Sequence, residues 1–101
     1  MDTIIKQFSD ETRNSLRNHL VKIYLFGSRA RKDFTDKSDY DFLIVVDQKT
    51  KEISEAVLDI SSKISSDKNE LLSTLIWDRS EWDLKVNYPL GVNILKEGIE
   101  I

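Results

Sequence analysis

Cysteine is missing from this 101-residue chain, and histidine, proline and glycine are scarce: one, one and three residues. Without cysteine there can be no disulfide and no thiolate-bound metal. A lone histidine, His19, cannot supply a multi-histidine zinc site. No run approaches the roughly 20 apolar residues that span a bilayer. The opening residues, MDTIIKQFSDETRN, lack the charged-then-apolar layout of a secretory signal, so a cytoplasmic protein is expected. A basic excess is also missing: 15 basic against 18 acidic residues leave a net charge of -3. That balance argues against a general nucleic-acid binder. There is no internal repeat, low-complexity tract or linker. What remains, 40% hydrophobic and 33% charged residues, is the composition of a folded globular chain. The length predicts one domain spanning residues 1–101, built on a single core.

Hydrophobic spacing gives the elements. Ile4, Ile5, Phe8, Leu16 and Leu20 recur near helical spacing, predicting a helix from Thr3 to about Leu20. VKIYLFG reads as a strand ended by Gly27, and Ser28 to Asp33 as a short helix directly after it. YDFLIVV is a second strand, apolar on both faces beyond Asp41 and therefore central in its sheet. Ile53, Val57, Ile60 and Ile64 mark an amphipathic helix from Thr50 to about Lys63. ELLSTLIWD is a third strand, a helical turn begins near Ser80 to Asp83, and LGVNILKEGIEI reads as a turn, a short helix and a terminal strand. The order α-β-α-β-α-β predicts an α/β (α+β) fold: a small mixed β-sheet with helices packed on it.

The informative stretch is LFGSRARKDFTDKSDYDFLIVV. Strand side chains alternate, so Asp39 and Asp41 share a face with Leu43 and Val45, their Cα atoms about 6–7 Å apart. Two carboxylates that close repel each other, and burying either unpaired is costly. A hard divalent cation relieves both problems, and Mg²⁺ favours a few carboxylate oxygens completed by water and phosphate oxygens. At the other end, a Gly-Ser pair between strand and helix offers backbone N–H groups and a hydroxyl to a phosphate. Arg29, Arg31 and Lys32 lie near enough in sequence to help neutralise a polyphosphate. With Ser28 and Asp39 eleven residues apart between two apolar strands, the parts together suggest a metal–nucleotide site.

FGSRARKDFTDKSDYDFLIVV resembles the Gly-Ser…Asp-x-Asp signature of the DNA polymerase β-like nucleotidyltransferase superfamily. It is similar in particular to the minimal nucleotidyltransferase (MNT) domains, and PLGVNILKEGIEI resembles their Asn-Ile-x-x-Glu-Gly ending. The resemblance implies the polymerase β-like fold and transfer of a nucleoside monophosphate, AMP from ATP, with Mg²⁺ as cofactor. It also implies roles: Gly27, Ser28, Arg31 and Ser38 for the nucleotide, Asp39 and Asp41 for the metal and for catalysis. The acceptor it implies is a protein, with this chain the antitoxin of a HEPN-type toxin, in a hetero-complex or a homo-oligomer. A chain of this length has little room for a further substrate-binding domain, which fits an acceptor carried by a separate protein. The alternative is a catalytically degenerate MNT-fold antitoxin that acts by binding its partner.

The superfamily pattern includes a third carboxylate on a neighbouring strand, and here its position falls at or beside Leu71. Glu70 is the adjacent acid and the candidate third catalytic residue. Alternation would aim it at the opposite face if Leu71 faces the site, and a bulge would bring it in. Asp78, at the strand's far end, is the other acid available. Lys32 stands where the pattern often has glycine. His19 reads as a solvated helix-end residue, and Trp77 and Trp82 as packing residues.

Overall fold

The computed structural model describes residues 2–101. Its centre is β2 (Tyr40–Val46), flanked by β1 (Leu20–Phe26) and β3 (Leu72–Asp78). β1 runs antiparallel to β2 and β3 parallel to it, and the short β4 (Ile99–Glu100) pairs antiparallel with the outer edge of β1. The sheet order is β3-β2-β1-β4. The mixed sheet and the central place of YDFLIVV are thus as the apolar pattern predicts: every residue of β2 except Asp41 is buried.

Side-chain alternation sorts the core into two layers. Phe42, Ile44 and Val46 join Ile23 and Leu25 of β1 against α1 (Thr3–Leu16) and α3 (Lys51–Lys68). Phe8 of α1 stacks on Phe42 with ring centroids 4.0 Å apart. On the other side Leu43 and Val45 meet Tyr24, Trp77 and Ile94, covered by α4 (Arg79–Lys85) and α5 (Pro89–Glu97). Trp82 of α4 stacks on Tyr24 at 5.4 Å, so both tryptophans are packing residues of this layer. Gly91 lets α5 cross α4 closely, since a Cβ there would collide with the Lys85 carbonyl.

The helix ends carry local causes. Asp2 caps α1 by accepting from the Ile4 amide at 2.7 Å, and Thr50 caps α3 by accepting from Ile53 at 3.2 Å. Asp78 and Glu81 form a reciprocal capping box at the start of α4. Two expected boundaries shift. α1 stops at Leu16, where Arg17 takes φ 52°, and a 3-10 turn over Arg17–His19 leads into β1. α3 runs on to Lys68 and ends at Asn69, whose left-handed φ of 53° is a conformation asparagine tolerates.

Candidate active site

Asp39 and Asp41 stand at the mouth of β2, where β1 gives way to the Gly27 turn. Asp41 pairs across the antiparallel ladder with Phe26 and across the parallel ladder with Ser73. Gly27 holds φ 74°, and a Cβ built on it would run into the Asp41 carboxylate. Glycine is therefore required here twice, for the backbone angle and for the space. The turn and the acid are in contact across adjacent strands, as a paired phosphate-and-metal site needs.

Electrostatics show what the pair lacks. Burial raises the pKa of Asp41 above the ordinary carboxylate range, the charge of Asp39 raises it further, and Arg31 only partly offsets this. Two half-buried carboxylates whose mutual repulsion Arg31 only partly offsets are a fitting donor set for a divalent cation. Among the described residues there is no group of three acidic or histidine side chains placed to hold a metal.

Glu70 accordingly does not join the pair. Its carboxylate lies 3.9 Å from the Arg29 guanidinium, on the Tyr40 side of β2 and so across the sheet from Asp41. The register explains this placement. Tyr40 pairs with Leu72 and Asp41 with Ser73, so Leu71 and Ser73 share the acid face while Leu72 points into the opposite layer. Asp78, paired with Val46, sits at the far end of β3 and caps α4. The residue directly beside Asp41 on β3 is the exposed hydroxyl of Ser73, which sequence reading overlooked. Counting alternation outward from the β2–β3 pairing is what locates it.

The basic cluster divides. Arg29 is nearly buried, its guanidinium lying between the Tyr40 ring at 4.3 Å and the Phe34 ring at 4.5 Å. It donates to the Ser38 carbonyl from Nη2 at 3.1 Å and Nε at 3.3 Å. Ser38 also closes the loop from its side chain, whose Oγ accepts from the Thr35 amide at 2.9 Å. Arg29 and Ser38 thus fix the segment that delivers Asp39. Arg31 points the other way, to Asp33 at 3.2 Å and Glu97 of α5 at 3.5 Å. Those two acids, Asp33 the more strongly, raise its pKa. Lys32 is exposed, in the left-handed conformation that ends the short helix α2 (Ser28–Arg31).

Beneath the site, Tyr40 anchors the start of β2 to α1 by donating its hydroxyl to Asp2 at 2.6 Å. Burial first, then the hydrogen bond to Asp2, pushes the phenol up to about 12. Neither the Asp2–Tyr40 link nor the Arg29 stack is visible as a local motif, because each joins residues distant in sequence. At the opposite end of the sheet His19 meets Asp47 at 3.0 Å, away from these groups.

The polymerase beta nucleotidyltransferase family matches residues 10–101. The chain belongs to that family. It is 32% identical over 94 residues to MJ0604, a candidate protein adenylyltransferase of Methanocaldococcus jannaschii, a match covering 93% of this chain and 90% of that one. Among solved structures, a candidate nucleotidyltransferase from Sulfolobus solfataricus matches with a TM-score of 0.61 and 24% identity, over 97% of this chain and 76% of that one. A toxin–antitoxin structure containing AMP-PNP matches with a TM-score of 0.63 and 16% identity, over 94% and 69% of the two chains. These two share the fold. In this nucleotidyltransferase the Gly27–Ser28 turn and Asp41 are neighbours across the β1–β2 ladder, with Asp39 just before β2.

Proposed function

We propose that this chain transfers AMP from ATP to a hydroxyl group of a polypeptide, and that it acts as the antitoxin of a HEPN-type toxin. The observation that carries the reading is the half-buried Asp39/Asp41 pair, with Asp41 lodged against Gly27. Asp39 and Asp41 would hold Mg²⁺, which supplies charge neutralisation and polarisation at the reacting phosphate. The Gly27–Ser28 turn would receive the triphosphate, with its backbone open to close approach and Ser28 contributing a hydroxyl donor. A bond forms between the acceptor oxygen and the α-phosphorus as the bond to pyrophosphate breaks, and the acceptor proton leaves to water or to a group on the partner.

A polypeptide acceptor is supported by the relative described as a candidate protein adenylyltransferase and by the surface further along the same face of the sheet as Asp41. A groove of about 610 Å³ lies between β3, α4 and the start of α5, lined by Leu75, Trp77, Leu84, Tyr88 and Leu90. Leu84, Tyr88 and Leu90 are exposed, an apolar surface suited to a protein partner. The toxin assignment follows the MNT resemblance and the likeness in fold to toxin–antitoxin structures.

Ser73, in place of an acid, favours a second reading: an antitoxin that binds nucleotide and partner without turnover. Incubating the chain with a co-encoded HEPN protein, Mg²⁺ and α-labelled ATP separates the two. The expected result is label on the partner, lost in Asp39→Asn/Asp41→Asn. A tight complex without label would make binding the function. An ATP-dependent rise in Tm that survives the double substitution would overturn the site itself.

A further inference from the structure

Beside the Gly27 turn, on the side facing α5, lies a small cavity of about 120 Å³ whose apolar wall includes Phe26 and Ile94. Phe26 is the cross-strand partner of Asp41 and Gly27 packs against its carboxylate, so two residues of the cavity wall also neighbour Asp41. Its polar lining is Arg31, Asn93 and Glu97. Asn93 and Glu97 stand four residues apart on α5, hence on one face of that helix. The Glu97 carboxylate reaches the Arg31 guanidinium at 3.5 Å.

From an α-phosphate held at Asp39 and Asp41, a nucleoside triphosphate extends two ways: to the pyrophosphate, which is highly anionic, and to the sugar, which is neutral. The cavity is poorly built for the first. The single cation lining it, Arg31, already faces Asp33 and Glu97, and the Glu97 carboxylate would repel phosphate oxygens. It is well built for the second. A carboxylate accepts from hydroxyl groups, and a carboxamide one turn away both donates and accepts. At about 120 Å³ it has room for a group the size of a sugar ring.

We propose that Glu97 and Asn93 form the ribose subsite of this nucleotidyltransferase, with Glu97 accepting from the 2′- and 3′-hydroxyls, so that the chain selects ribonucleotides over deoxyribonucleotides. Without nucleotide, Arg31 occupies Glu97; the sugar hydroxyls take over part of that contact. The inference rests on the nucleotide-binding reading above and goes beyond it in assigning the specificity residues.

The test compares ATP, 2′-deoxy-ATP and inorganic tripolyphosphate, each with Mg²⁺, by calorimetric titration of the intact chain. Losing hydrogen bonds to a half-exposed carboxylate should weaken 2′-deoxy-ATP about tenfold relative to ATP. Glu97→Gln and Asn93→Ala should narrow that ratio, while tripolyphosphate, which has no sugar, binds these variants and the parent alike. Equal affinity for ATP and 2′-deoxy-ATP in the parent chain would overturn the assignment. So would tighter tripolyphosphate binding by Glu97→Gln, which would make the cavity a phosphate site. In either case, ATP binding abolished by Asp39→Asn/Asp41→Asn would leave the nucleotide reading standing. No ATP binding at all would remove both.

Discussion

On the α1/α3 side of the sheet, Phe8, Phe42, Ile44, Val57 and Ile64 are shut away from solvent, with aromatic rings in contact and two long helices across the strands. On the α4/α5 side, Leu43, Val45 and Ile94 are equally buried, yet Ser73 and Leu75 on the neighbouring strand are exposed. Alternate residues of β2 serve the two layers. One layer supplies stability by filling space. The other leaves gaps, and these hold the acid pair, the groove and the cavity beside Gly27. A central strand with one well-packed face can carry repelling carboxylates on the other, because the burial that fixes its position occurs elsewhere.

This contrast can be broken first from the closed side. Phe42→Ala removes the ring that stacks on Phe8 and should cost about 3–5 kcal/mol, read by urea denaturation. A cost under about 1 kcal/mol would mean that the closed layer does not anchor the strand. Gly27→Ala attacks the junction instead. It forces alanine to a positive φ and a methyl group into the Asp41 carboxylate, at a cost of roughly 1–3 kcal/mol. Its Mg²⁺–ATP-dependent rise in Tm should disappear, while the near-ultraviolet signal of Trp77 and Trp82 persists.

A smaller effect sharpens the electrostatic half of the comparison. The folded state holds the Asp41 proton above the ordinary carboxylate range, and the unfolded chain releases it within that range. Between the two, the folded chain binds more protons, so metal-free stability falls as pH rises through that window. Asp41→Asn should flatten this fall and be the more stable form at neutral pH, and added Mg²⁺ should stabilise only the parent chain. Identical pH profiles for the two would contradict the repulsion. The smallest change is Ser73→Asp, which places a third carboxylate directly opposite Asp41. Without metal it should lower stability by roughly 0.2–1 kcal/mol, and it should enlarge the Mg²⁺-dependent rise in Tm. An unaltered response to Mg²⁺ would show that residue 73 does not face the ion.

Much of this layout is legible in the sequence, for identifiable reasons. The run YDFLIVV has one side chain out of keeping with burial on both faces, and that exception is Asp41. The helix spacing of Ile53, Val57 and Ile64 likewise survives into the structure. The illegible parts depend on pairing at a distance. Whether Glu70 or Ser73 faces the acids follows from the β2–β3 register, which ELLSTLIWD does not reveal by itself. Arg29 reads as a phosphate ligand until the loop folds back and presents Phe34 and the Ser38 carbonyl to it. The end of α1 is hidden because arginine, not glycine, takes the left-handed angle at residue 17.

The grip of Arg29 on Ser38 also makes a lasso of the chain that it spans. The knot lies at the base, next to Gly27 and Asp39, and Lys32 to Lys37 form the exposed noose. Because the free energy of closing a loop grows only slowly with its length, extra residues between Asp33 and Phe34 would lengthen the noose while leaving the Thr35–Ser38 turn and the Arg29 grip in place. The molecule thus offers a grafting position for a tag or fluorophore close enough to report on nucleotide arrival, yet mechanically insulated from the acids that receive it.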